Sequence, residues 1–405
     1  MKKTPVLWRR LLHLMGGMAP LAYGVWRWST PLSIHTFLIA GGVIFTVAVV
    51  LAKGNAVKLL AEFTQAAITF AFLDLALRHV KLPELIYALR HLDPILIFAG
   101  MFAFTMGIWF RGYRWYFLLE GKGKIRRWDA VFSTYVSYFG NFAMPARAGE
   151  LLRIVVLGKR TGVSKAAATA SVLMEKIADL LTLVIVVLCL LGFTELGGPT
   201  LRFIVGIGAV VAVVLISVMV GAIILRKLFP LEDEPGVAGP GNRIRRFLHF
   251  FVEGMRPASR PEHVGRFLLL SFVAWGLISY SCYIFLTSQG LIDWLHEFGR
   301  AGPIASTLLL VVLVNASTMI PAGPGSAGPY QAAVMLAFTL IGASSMEAGS
   351  AAYHNAAGFS ILLWIGQALP SVIVGGVLFF RSGLTMQILR TAEREAAEVM
   401  MPPDN

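Results

Sequence analysis

Long apolar runs alternate along this chain with short polar connections, many of them basic. Runs of about 20 apolar residues are long enough to cross a bilayer as helices. Eight such runs stand at 32–51, 57–77, 94–114, 167–193, 202–225, 267–288, 303–321 and 353–380. A weaker stretch covers 7–25, and two short ones cover 130–146 and 329–343. Leu, Val, Ile and Phe lie on all faces of these runs, as lipid-facing helices require, rather than on one stripe. The pattern predicts an all-α polytopic membrane protein with about 8–10 transmembrane helices.

Two interruptions stand out. The first is Asn141-Phe-Ala-Met-Pro145-Ala-Arg147-Ala-Gly-Glu150-Leu-Leu-Arg153, which sets two arginines and a glutamate inside apolar sequence. The preceding 130–146 run is too short to cross and lies between strongly basic segments, so the spacing predicts a helix that enters and returns to one side. The second runs from Asn315 through Pro321, Gly323, Gly325 and Gly328 to Gln331. Here 303–343 can be two crossings or a hairpin. Two hairpins entering from opposite faces would make the inverted repeat of many transporters.

Charge adds an orientation. Segments 111–127, 147–165, 226–266 and 381–394 hold 22 Lys or Arg, whereas the alternating connections 79–93, 194–200, 287–301 and 344–352 hold 3. By the positive-inside rule the first set is cytoplasmic, and both termini with it if 7–25 crosses. The excess of basic residues therefore reports topology rather than nucleic-acid binding. A turn-rich polar stretch with Pro230, Pro235, Pro240 and Gly241 divides the chain. The expected organisation is an extension with one or two membrane helices (1–55), a first helical half holding the site element (56–228), a cytoplasmic linker (229–262), a second helical half (263–385) and a cytoplasmic tail (386–405). Cys189 and Cys282 both fall in apolar runs, which argues against a disulfide or metal role.

A helix beginning at Pro145 would place Arg147, Glu150 and Arg153 close to one face. Its amino-terminal N–H groups would favour an anion, and the arginine forks match phosphate oxygens. Glu175 and Asp179 follow one turn apart on a later run; like charges at that spacing repel and imply a cationic partner, with Arg147, Arg153 and Lys176 as candidates. The basic and aromatic run Arg111-Gly-Tyr-Arg114-Trp-Tyr ends a span, where an interfacial anchor with snorkelling arginines is the expected reading. His354, Asn355 and Gln367 give the last span a polar edge. Gly323-Pro-Gly325-Ser-Ala-Gly328 matches a dinucleotide-binding pattern, but no strand–turn–helix unit surrounds it. Neither a P-loop nor paired metal ligands occur, so no cofactor and no metal is expected.

Arg114-Trp115, Asn141…Pro145-Ala-Arg147-Ala-Gly149-Glu150…Arg153 and Glu175…Asp179 resemble, in order and spacing, the lysylphosphatidylglycerol synthase transmembrane-region family. The segment from Pro321 to Gln331 is similar to that family's second signature, and the resemblance runs from about Leu82 to about Phe380. It implies a lipid translocase with Arg147, Glu150, Arg153, Glu175 and Asp179 in the headgroup path; the membrane half of the multiple peptide resistance factor is one member. Lys176 departs from an expected arginine and Gln331 from an expected acid. The first 50 or so residues extend beyond the family pattern, and Arg9-Arg10 to Pro20 resembles the opening of dolichol-kinase-like membrane enzymes.

The resulting expectation is flipping of an anionic phospholipid or lipid-linked saccharide across the bacterial inner membrane. Substrate-binding candidates are Asn141, Arg147, Glu150, Arg153, Glu175, Asp179, Asn315 and Gln331. The expected partners are the lipid headgroup and a glycosyltransferase or lipid-modifying enzyme, without nucleic acid. The alternatives are a membrane-embedded lipid or polyprenol kinase or transferase, or a scaffold for a glycosyltransferase.

Overall fold

The computed structural model describes residues 56–77, 92–120, 123–143, 149–193, 261–297, 301–320, 322–342 and 349–383, with isolated positions between them. The runs at 7–25 and 32–51, most of 202–225, most of the linker, and the tail lie outside the described residues. So does the kinase-like opening. All regular structure among the described residues is helical: α1 Ala56–Leu77, α2 Pro94–Leu119, α3 Arg127–Ala143, α4 Gly149–Thr161, α5 Lys165–Phe193, α6 Pro261–Ser288, α7 Leu291–Glu297, α8 Gly302–Ser317, α9 Pro329–Ile341 and α10 Ala351–Arg381. Three of these, at Pro94–Leu119, Gly265–Ser288 and Ala351–Arg381, are long and apolar enough to cross a membrane. The protein is an all-α polytopic membrane protein.

Helix α2 starts where Asp93 accepts from Ile95 N (2.8 Å) and Leu96 N (3.3 Å), with Pro94 in a position that needs no donor. Its length is matched by α6, which runs antiparallel beside it. Ser288 O meets Asp93 N at one end, Ser281 Oγ donates to Gly100 O at 2.7 Å, and Arg114 reaches Ser271 near the other. Small residues allow this approach. A Cβ at Gly107 would lie 2.8 Å from Ile278 Cγ1, and one at Gly366 of α10 would lie 2.5 Å from the Phe285 ring. Such close contact is how membrane helices gain packing energy when hydrophobic burial offers little.

Between these long helices sits the first broken element. Helix α3 has 17 residues and α4 has 13, each short of the roughly 20 needed to span. Twelve residues of α3 are buried, so protein rather than lipid surrounds it, as irregular backbone at membrane depth requires. At the start of α3, Asp129 accepts from Arg160 at the end of α4 (3.0 and 3.2 Å). At the far end the backbones of Gly140 and Gly149 touch. The two helices therefore form an antiparallel hairpin whose outer ends lie together. Exposed Lys124, Arg126, Arg127, Lys159, Arg160, Lys165 and Arg266 surround its mouth.

Burial works against ionisation of Asp129, but the hydrogen bonds from Arg126 and Arg160 outweigh it and hold the carboxyl below its usual range. A depressed folded-state pKa stabilises above the unfolded value and is lost as pH falls through the folded one. Asp129→Asn should therefore lower the melting temperature at pH 7, and the gap to wild type should narrow below about pH 4. A gap that is the same at both pH values would remove Asp129 as the clasp.

The second break has matching proportions: α8 has 16 residues and α9 has 13, and they pack together across a turn at Pro324–Ser326. Gly323 N donates to Thr69 Oγ1 of α1 (2.8 Å), and a Cβ at Gly328 (φ +90°) would strike Thr69 O at 2.3 Å. Gly325 lies against Phe142 at the tip of α3, while Trp364 Nε1 donates to Gly325 O (2.9 Å) and meets the Phe142 ring edge-on. The tips of the two broken elements thus meet.

Candidate functional site: a buried guanidinium–carboxylate network

Three helices, one of them the hairpin's α4, bring charge together, and a fourth adds neutral partners. From α5, Glu175 and Asp179 project on one face. From α2, Arg114 Nη2 lies 3.0 Å from Glu175 Oε1 and Nη1 2.9 Å from Asp179 Oδ1. One turn earlier, Arg111 pairs with Asp179 and approaches Glu175 at 4.0 Å. From α4, Arg153 Nη2 stands 2.9 Å from Glu175 Oε2 and 3.2 Å from Glu150 Oε2. Lys176 Nζ donates to Glu150 Oε1 at 2.7 Å. From α6, Ser271 Oγ accepts from Arg114 and Trp275 Nε1 donates to Asp179 Oδ1.

Each guanidinium is also stacked. Arg153 lies 4.3 Å from the Trp115 ring, Arg114 5.0 Å from Phe267 and Arg111 5.2 Å from Trp275. Trp115 is itself fixed by its bond to Ser171 (3.1 Å). Desolvated cations over aromatic faces gain about 2 kcal/mol or more, and arginine's planar, weakly hydrated head suits such sites.

Arg114 is completely buried, Arg153 and Glu175 nearly so. Isolated charges could not persist there, so the pairing is obligatory. Arg153 is seven residues from Arg160, which places it about 10 Å deeper than the hairpin mouth. The accessible edge of the network, among the described residues, is the one formed by Glu150 and Lys176, whose side chains are 25% and 37% exposed. Among the described residues the network holds four cations and three anions, so it carries one excess positive charge.

Of the candidates named from sequence, Glu150, Arg153, Glu175 and Asp179 come together here. Arg147 lies outside the described residues, as does Pro145, and α4 is described from Gly149 onward. Asn141 is buried at the end of α3 against Gly149. Asn315 Nδ2 donates to Val311 O within α8 (2.8 Å), and Gln331 Oε1 accepts from Gly328 N to cap α9 (2.8 Å). Both bonds stay within the second broken element.

One expectation is corrected. Arg111 and Arg114 do not snorkel to an interface: they point inward and supply the main partners of Glu175 and Asp179. Lys176 likewise serves Glu150: it follows Glu175 directly, so it points about 100° round the helix from it.

The sequence profile of the lysylphosphatidylglycerol synthase TM region matches residues 59–366. The chain belongs to this family. The match leaves the first 58 residues outside it, and within it lie all four helices that build the network. A glycosyltransferase, AglD of Haloferax volcanii, is 25% identical over 364 residues, covering 82% of this chain and 55% of that protein. The chain thus spans about half the length of this curated relative. No solved structure matches.

Proposed function

We propose that this protein moves an anionic phospholipid or lipid-linked saccharide between leaflets of the bacterial inner membrane, with both termini cytoplasmic. The observation that carries the reading is the network's excess positive charge, buried beside a broken hairpin about two turns in from a basic rim. A phosphate headgroup in hydrocarbon costs several kcal/mol or more when unpaired, and charge-assisted hydrogen bonds return about 1.5–3 kcal/mol each. The network is closed in this conformation, so Arg153 and Arg147 would meet the headgroup when the hairpin shifts against α2 and α5. Glu175 and Asp179 would then keep the remaining guanidinium groups compensated.

The named glycosyltransferase relative supports a second, narrower reading: the cargo is a saccharide on a lipid phosphate, and a glycosyltransferase is the partner. Reconstitution separates these. Purified protein in liposomes should speed leaflet exchange of phosphatidylglycerol or of a polyprenyl phosphate sugar at least about tenfold over phosphatidylcholine, with Arg153→Lys and Arg147→Ala reduced by about tenfold. Exchange at the protein-free rate for every anionic lipid would end the translocase reading.

A further inference from the structure

One carboxylate of the network differs from the other two. Glu175 and Asp179 are enclosed by arginines, whereas Glu150 sits at the accessible edge, in the first turn of α4. There it bridges Lys176 Nζ at 2.7 Å and Arg153 Nη2 at 3.2 Å. Arg153 is 3% exposed, yet its Nε and Nη2 have no hydrogen bond of proper geometry. A buried guanidinium with open donors has unused capacity for a better acceptor.

We propose that Arg153, Lys176 and the first turn of α4 form a seat for a phosphate ester, and that Glu150 is its resident competitor. Two carboxylate oxygens and two phosphate oxygens offer the guanidinium fork the same acceptor pair. Negative charge in the first turn is favoured whichever group supplies it. An arriving phosphate would take Arg153 and Lys176 from Glu150, whose partial exposure lets it swing outward. The seat then empties without leaving Arg153 uncompensated, because Glu150 returns. This rests on the reading that the network receives an anionic headgroup, but it concerns binding and not translocation.

The test is calorimetric titration of the full chain in phosphatidylcholine nanodiscs with short-chain phosphatidylglycerol and, separately, with inorganic phosphate. Glu150→Gln removes the competing charge and should bind the phosphatidylglycerol about tenfold tighter than wild type, while Lys176→Gln should bind it more weakly. A gain for phosphatidylglycerol alone assigns the seat to a lipid headgroup. A gain for inorganic phosphate as well assigns it to the phosphate group as such. Either outcome upholds the proposal. Equal or weaker binding by Glu150→Gln, at a melting temperature matching wild type, overturns it. Should glutamine disturb the fold, Glu150→Ala is read the same way. Because leaflet exchange is measured apart, lost exchange with tighter binding rejects only translocation, and normal exchange with no gain rejects only the seat.

Discussion

Arg114→Met is expected to destabilise the protein by about 3–5 kcal/mol, the range for stripping one partner from a buried ion pair. Methionine keeps the apolar stem and most of the volume, so the effect isolates the charge and its hydrogen bonds. Arg114 is the one cation in hydrogen-bonding or ion-pair contact with Glu175, Asp179 and Ser271 together among the described residues, and it is wholly buried. Its loss leaves both carboxylates short of a partner in a medium that cannot solvate them. Adding Glu175→Gln to Arg114→Met restores the network's net charge and should recover part of the loss, since neighbours in one network couple by about 0.5–3 kcal/mol. Lys124→Met, at an exposed position ahead of α3, serves as the control and should leave the melting temperature unchanged. Thermal unfolding in detergent reads all three. If Arg114→Met melts with the control, the network does not hold these helices together.

How legible this site was depends on the kind of signal each residue leaves. Glu175 and Asp179 announce themselves, because two acids one turn apart in an apolar run demand a cation. The broken element is also readable: Asn141 to Glu150 combines proline, glycine and charge where a span is too short. Arg111 and Arg114 leave an ambiguous trace, since a basic and aromatic run at a helix end satisfies snorkelling equally well. A sharper clue lay in their spacing. Two cations at i, i+3 repel as two acids at i, i+4 do, and the two like-charged pairs solve each other's problem. Three-dimensional packing decides between the readings, because α6 covers the side of α2 on which a snorkelling arginine would need free interface. The second break shows the opposite limit. Asn315 and Gln331 look like ligands in an apolar sequence, yet each is bonded to backbone in its own element, the local competition that polar side chains commonly win.

Gly149→Ala should be the other severe variant, by about 3 kcal/mol, the upper end of ordinary overpacking. The added Cβ would lie 2.0 Å from Ser137 O and 2.6 Å from Asn141 N. Both obstacles are backbone, so no rotamer change relieves them and α4 must move away from α3. Helix α3 has no slack on its other sides. Gly112 of α2 approaches Val131 Cα, where a Cβ would sit 2.6 Å away, and Gly375 of α10 approaches Tyr135 O at 2.3 Å. Three neighbouring helices thus touch the α3 backbone through glycines, which fixes the depth and angle of the hairpin. Arg153 stands one turn beyond Gly149, so displacing α4 also pulls its guanidinium from Glu175 and the Trp115 ring. The variant should therefore lose lipid exchange together with stability. Gly276→Ala, on the exposed face of α6 with nothing within 4 Å of the new Cβ, should instead be neutral or stabilising by about 0.5–1 kcal/mol. Melting temperatures of the two variants measured side by side decide the point. Should Gly149→Ala unfold no earlier than Gly276→Ala, the hairpin is not clamped through its glycines, and the geometry that aims Arg153 has another source.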